Sequence, residues 1–137
     1  MEATAGMYLL IRLCTCGIWT ASGIYEIFNY DHTAGRMAQH HVPASKYLLS
    51  LVIVMKLGGS LLVMSNHLVW AAALVWIAFT IPATLLYHSS FRDADGKFVQ
   101  MQMTQSFKNL SIIGGLLALI ALDPNKPQWL LGLLQRI

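Results

Sequence analysis

Lys56 is the only charged side chain between Tyr47 and Met64, in the middle of the run VMKLGG. An ammonium group in such a run costs free energy unless an acid or a water-filled cavity compensates it. Acids are few. Glu2, Asp93, Asp95 and Asp123 lie outside the apolar runs and Asp31 falls in a connection, so Glu26 is the one carboxylate inside a run and the partner reached by elimination. The pair reads either as a staple that fixes helix register or as part of a site. Four more polar groups stand in or at the ends of the apolar runs: Arg12, His88, Lys108 and Asn109. His88 belongs to the residue type that exchanges protons near neutral pH. Lys108 and Asn109 can donate hydrogen bonds to a bound carbonyl, and Asn109 is expected to bond across helices. Arg12 is expected to snorkel to the nearby membrane face.

The elements that would position these groups are legible in the hydropathy. Of 137 residues, 56% are hydrophobic and only 11% charged, against about a quarter charged in an ordinary soluble protein. Four apolar runs cover about 7–28, 45–64, 68–87 and 107–122. Three reach the ~20 residues a helix needs to cross ~30 Å of hydrocarbon, and the fourth is slightly short. None alternates as a strand would, so the expected fold is all-α: one integral membrane domain over 1–137, an antiparallel up-down four-helix bundle. The first run is too long for a signal peptide and is expected to be retained. Pro82 is expected to kink the third span. The tail 124–137, containing PQWLLGLLQRI, is too short to span and is expected to lie in the interface as a short helix.

Connections alternate in length. The residues from about Asn29 to Ala44 and from about His88 to Ser106 form long loops, whereas Ser65-Asn66-His67 is a tight turn that makes spans two and three antiparallel neighbours. Tyr30, Tyr47 and Tyr87 fall at the long-loop ends and Tyr8, Trp70 and Trp129 at the other, as two interfacial belts. Arg36, Lys46, Arg92 and Lys97 on the long-loop side outnumber Lys126 and Arg136, which favours long loops in the cytoplasm and both termini outside. Small residues four apart (Gly17 and Ala21, Ser111 and Gly115, Gly114 and Ala118) suit close helix packing within the bundle, or contacts in a homo-oligomer. The echo of GGSLL in GGLLA suggests two half-repeats.

With four spans, Glu26, His88, Lys108 and Asn109 converge on the long-loop side with Lys56 below. Such a polar group under an apolar wall suits a ligand with a polar head and an apolar tail, such as a quinone. Depth is the difficulty: Lys56 lies about 11 residues into its run, or ~16 Å, while Glu26 is near the end of its own. Cys14 and Cys16 cannot bridge each other on a helix and read as packing residues. His32, His40 and His41 read as solvated loop residues, and no metal site is expected. No basic run supports nucleic-acid binding.

Arg12 in IRL, SGIYEIF, MKLGGSLL, ATLLYH and above all FKNLSIIGGLLAL together resemble the DoxX family of small four-helix membrane proteins, over nearly the whole chain up to Asp123. The family pattern usually has a lysine at the position of Glu26 and a glutamate at that of Lys56. The reciprocal exchange is what a contacting ion pair permits. The resemblance implies a bacterial inner-membrane protein, acting as a non-catalytic or accessory subunit of a quinone-linked redox system beside soluble or membrane oxidoreductase subunits. No nucleophile–base pair, phosphate loop or zinc spacing points to catalysis by this chain alone. A small carrier or channel, or a purely structural membrane protein, is the alternative.

Overall fold

The computed structural model describes residues 2–88, 90–93, 95–134 and 136. Among the described residues, six helices follow one another: α1 (Glu2–Phe28), α2 (Tyr30–Gln39), α3 (Ser45–Met64), α4 (Val69–His88), α5 (Gln100–Leu122) and α6 (Gln128–Leu134). Four are long and apolar enough to cross a membrane, over Ala5–Phe28, Ser45–Met64, Val69–His88 and Gln100–Leu122. The protein is an all-α, membrane-spanning four-helix bundle. α1 packs most extensively on α3 and α4 on α5, while α3–α4 and α1–α5 contacts close the ring. Leu9, Leu13, Val54, Leu61, Leu85 and Leu110 are among the large apolar side chains left on the outside, as a lipid-facing surface requires.

The connection after α1 is not a plain loop. The ten residues YDHTAGRMAQ form α2, with Asp31 in the first turn and Arg36 in the last, each complementing the helix dipole. Ala34 is buried and Met37 half-buried, and α2 packs on α3. Its polar composition hides it from a hydropathy reading. α5 likewise begins at Gln100, ahead of the apolar run, because QMQMTQ contains good helix formers that are not hydrophobic enough to register. Between α4 and α5 an antiparallel bridge joins Arg92 to Phe98, and Asp93 Oδ1 accepts from the backbone N–H groups of Asp95 and Lys97 at 3.0 and 2.8 Å. α4 runs through Pro82 as one helix.

The core is centred on two tryptophans. Trp19 of α1 stacks on Trp76 of α4, with centroids 4.7 Å apart and planes 9° from parallel. Gly59 of α3 makes room for them: a Cβ there would stand 2.8 Å from the Trp76 ring. Gly23 is the other close approach, against Leu57 of α3. At Gly17, Gly58, Gly114 and Gly115 a Cβ would meet nothing within 4 Å. The small-residue pairs expected to pack inside the bundle therefore lie on its outer surface, and the two Gly-Gly sequences have different surroundings. Sequence spacing located small residues but not which way they face.

Both ends of the tight α3–α4 turn are closed by distant residues. Arg12 is buried and does not snorkel: its Nε donates to Val63 O at 2.8 Å, and a terminal guanidinium nitrogen donates to Met64 O. Those carbonyls belong to the last turn of α3, which has no intrahelical donors for them. Asp123, fully buried just past α5, accepts from Trp70 N at 2.9 Å in the first turn of α4. α6 follows, placing Leu130 in the core and Trp129 edge-on against Trp70, with centroids 5.9 Å apart. In the tail, Gln135 and Ile137 lie outside the described residues.

Candidate functional site

α1 and α3 run antiparallel in a register that their contacts define. Arg12 meets Val63, Cys16 Sγ donates to Ser60 O at 3.6 Å, Gly23 meets Leu57, and Tyr30 Oη donates to Lys46 O at 2.6 Å. The first turns of α3 thus stand level with Tyr30, beyond the end of α1. That removes the depth difficulty, because Lys56 lies next to Gly23 and one helical turn short of the level of Glu26. A lysine side chain spans that distance.

Lys56 Nζ makes an ion pair with Glu26 Oε1, donates to Ser22 Oγ at 2.9 Å, and sits 5.5 Å from the centroid of the Phe79 ring. The two charged side chains are 6% and 14% exposed. A carboxylate, a hydroxyl and an aromatic face therefore surround the ammonium where water is largely excluded. Ser22 and Phe79 are the members the sequence did not single out. Ser22 lies four residues before Glu26, one turn along the same face of α1, and that spacing was the available signal. Phe79 comes from a different helix and left none.

Glu26 also lines a cavity of about 600 Å³ between the end of α1, α2, α3 and α4. Its walls are mostly apolar, with Leu49, Val52 and Met55 from α3 and Phe79, Pro82 and Ala83 from α4. Arg36 of α2 and His88 at the end of α4 add polar groups to the lining. Glu26 Oε2, buried, finds no hydrogen-bond partner among the described residues. His88 Nδ1 lies 2.7 Å from Gln102 Oε1, and its backbone carbonyl accepts from Ser106 Oγ at 2.6 Å, which fixes the end of α4 to the first turns of α5.

Of the five side chains expected to converge, the structure gathers three: Glu26 and His88 line the cavity, and Lys56 touches it through Glu26. Lys108 and Asn109 are not among the lining residues. Lys108 is exposed and donates to Gln105 Oε1 on its own helix. Asn109 Nδ2 donates to Thr84 Oγ1 at 2.8 Å, an α5–α4 bond that continues to Thr80 O. Both lie beyond the cavity because α5 packs on α1 and α4 while α2 and α3 build the opposite wall. Among the described residues, no group of three His, Cys, Asp or Glu side chains is placed to hold a metal ion. His40 instead packs its ring on Tyr87, with centroids 4.5 Å apart.

The family model DoxX matches residues 7–89, more than half of the chain. The chain belongs to the DoxX family. The DoxX match includes Arg12, Glu26, Lys56 and His88 and stops before FKNLSIIGGLLAL, the segment in which the resemblance was read most strongly. Inner membrane protein YphA of Escherichia coli (strain K12) is 24% identical over 118 residues, covering 86% of this chain and 84% of the relative. No solved structure matches.

Proposed function

We propose that this DoxX-family chain is an inner-membrane accessory subunit of a quinone-linked redox system, and that its cavity takes the head and the first part of the tail of a quinone-like amphiphile. The observation that carries the reading is the cavity itself. It is large enough for a ring and a short tail, it is walled mostly by apolar side chains, and Glu26, Thr33, Arg36 and His88 set polar groups among them. The chain contributes binding and orientation, and the redox chemistry belongs to a soluble or membrane oxidoreductase partner. The named relative supports the inner membrane, and the Lys and Arg bias supports long loops in the cytoplasm with both termini outside.

Melting of the purified protein in mild detergent tests the reading. A ligand that binds only the folded state stabilises it by about 2.7 kcal/mol at a hundred times its Kd. Ubiquinone or menaquinone analogues are expected to raise the melting temperature, and Ala83→Phe, which fills the cavity, is expected to abolish the rise. If neither analogue moves the curve, the cavity has a structural role only. The buried charge pair supports a second reading, a small carrier or channel, and solute flux into proteoliposomes would favour it.

A further inference from the structure

We infer that α2 is a hinged flap over the cavity, latched by the contact of His40 with Tyr87, and that its opening admits the cavity's occupant from the long-loop side; this takes the cavity from the reading above but not the identity of its ligand. The roof comes from α2, through Thr33, Arg36 and Met37. Its hold on the bundle is uneven. At the first turn, Tyr30 Oη donates to Lys46 O at 2.6 Å and lies 2.7 Å from Ser50 Oγ, and Asp31 pairs with Lys46 at 3.1 Å. Farther along, the buried side chain is that of Ala34, a single methyl, so little apolar area holds the helix down. Just past the end of α2 the contact with α4 is between rings: His40 stands edge-on to Tyr87, with centroids 4.5 Å and planes 66° apart. Among the described residues no hydrogen bond or ion pair joins α2 to α4.

Both connections of α2 can bend. Asn29, between α1 and α2, leaves the helical conformation with φ −118° and ψ 34°. At the other end His41 and Ala44 hold left-handed backbone, with φ 59° and 49°, where residues with a Cβ seldom sit. α2 keeps its own shape between these points, since His41 N donates to Ala38 O at 2.9 Å and Val42 N to Met37 O at 3.1 Å, the bonding of a closed helix end. The receiving side is rigid. Gln102 and Ser106 of α5 bond to His88, and Asn109 to Thr84, so the last turns of α4, which carry Tyr87, are tied to α5. The weak link in the roof is therefore the His40–Tyr87 contact. An aromatic pair contributes a factor of about two to ten to a closed-to-open ratio, enough to bias the flap shut and still release it.

The test needs no ligand. With Cys14→Ser and Cys16→Ala as background, Ala83→Cys places a thiol on the cavity wall. The full chain in phosphatidylcholine nanodiscs is treated with 2-sulfonatoethyl methanethiosulfonate, whose charge keeps it out of the bilayer, and labelling is followed by mass spectrometry. His40 is exposed and outside the lining, so it can be changed without reshaping the cavity. His40→Ala is expected to raise the labelling rate about two- to tenfold, and His40→Phe, which keeps a ring against Tyr87, is expected to hold it near that of the unaltered latch. Spin labels at Gln39→Cys and Met101→Cys follow the flap itself, and His40→Ala is expected to enlarge a longer-distance population in double electron–electron resonance. A labelling rate or a distance distribution unmoved by His40→Ala overturns the inference, as does a His40→Phe variant that labels as fast as His40→Ala. Neither readout involves a ligand, so failure here leaves the melting test of the quinone reading intact.

Discussion

Replacing Lys56 with methionine leaves the Glu26 carboxylate only 14% exposed and without its cation. Breaking a buried pair by removing one partner costs about 3–5 kcal/mol, because the remaining charge is uncompensated. The Ser22 contact and the cation–π contact with Phe79 are lost with it, and the latter contributes about 0.5–2 kcal/mol. The melting temperature is expected to fall by about 10 °C or more. Trp19 and Trp76 are stacked in the core beside Gly59, so their fluorescence in detergent reports the transition directly. The informative comparison is the double variant Lys56→Met with Glu26→Leu, which removes both charges. Apolar replacement of a whole buried pair is often neutral or stabilising, so the double variant is expected to recover most of the loss. The reciprocal exchange Glu26→Lys with Lys56→Glu is likewise expected to melt well above either single exchange. If the doubles melt no higher than the worse single variant, the two residues do not act as a pair and the reasoning fails.

Gly59→Ala is expected to destabilise by about 1–3 kcal/mol, since the new methyl drives into the Trp76 ring, while Gly115→Ala, with open space around it, is expected to change melting little. Arg12→Leu removes the donors to Val63 O and Met64 O and is expected to cost about 1–3 kcal/mol. Asp123→Ala, which removes an acceptor at the start of α4, is expected to cost about 1 kcal/mol; chemical denaturation in mixed micelles measures both. In a Cys14→Ser, Cys16→Ala background, introduced Asn125→Cys and Asp95→Cys are expected to react with an impermeant maleimide from opposite sides of the membrane, and labelling from one side would refute the up-down topology.

The sequence made some of this legible and concealed the rest for physical reasons. Apolar runs report lipid-facing and core residues together, so the four spans stood out, while α2 and the first turns of α5 did not. The Glu26–Lys56 pair followed from scarcity, since an intramembrane charge has few partners available. The contact of Asn109 across helices followed from the same logic, although which helix it meets, α4 through Thr84, depends on rotation about α5. Rotation is what hydropathy cannot supply for a helix that is apolar all round. For that reason Lys108 was expected at the site and stands outside it, and the glycines at four-residue spacing were expected inside the bundle and face outwards. Arg12 was misplaced because its receiving group is backbone, the carbonyls of Val63 and Met64 at the end of α3.

The closure of the α3–α4 turn by Arg12 and Asp123 has a bearing on how the protein is made. The two residues come from the first helix and from just beyond the last long one, so the central hairpin is completed by opposite ends of the chain. During vectorial synthesis Arg12 is in the membrane before the hairpin exists and can receive the end of α3 as it arrives. The start of α4 has no such early partner. Its exposed amide waits for Asp123, which emerges after all four spans. A nascent chain that stops short of Asp123 therefore keeps an open helix start beside the turn. The buried carboxylate thus makes closure of the central hairpin depend on a residue that follows all four spans.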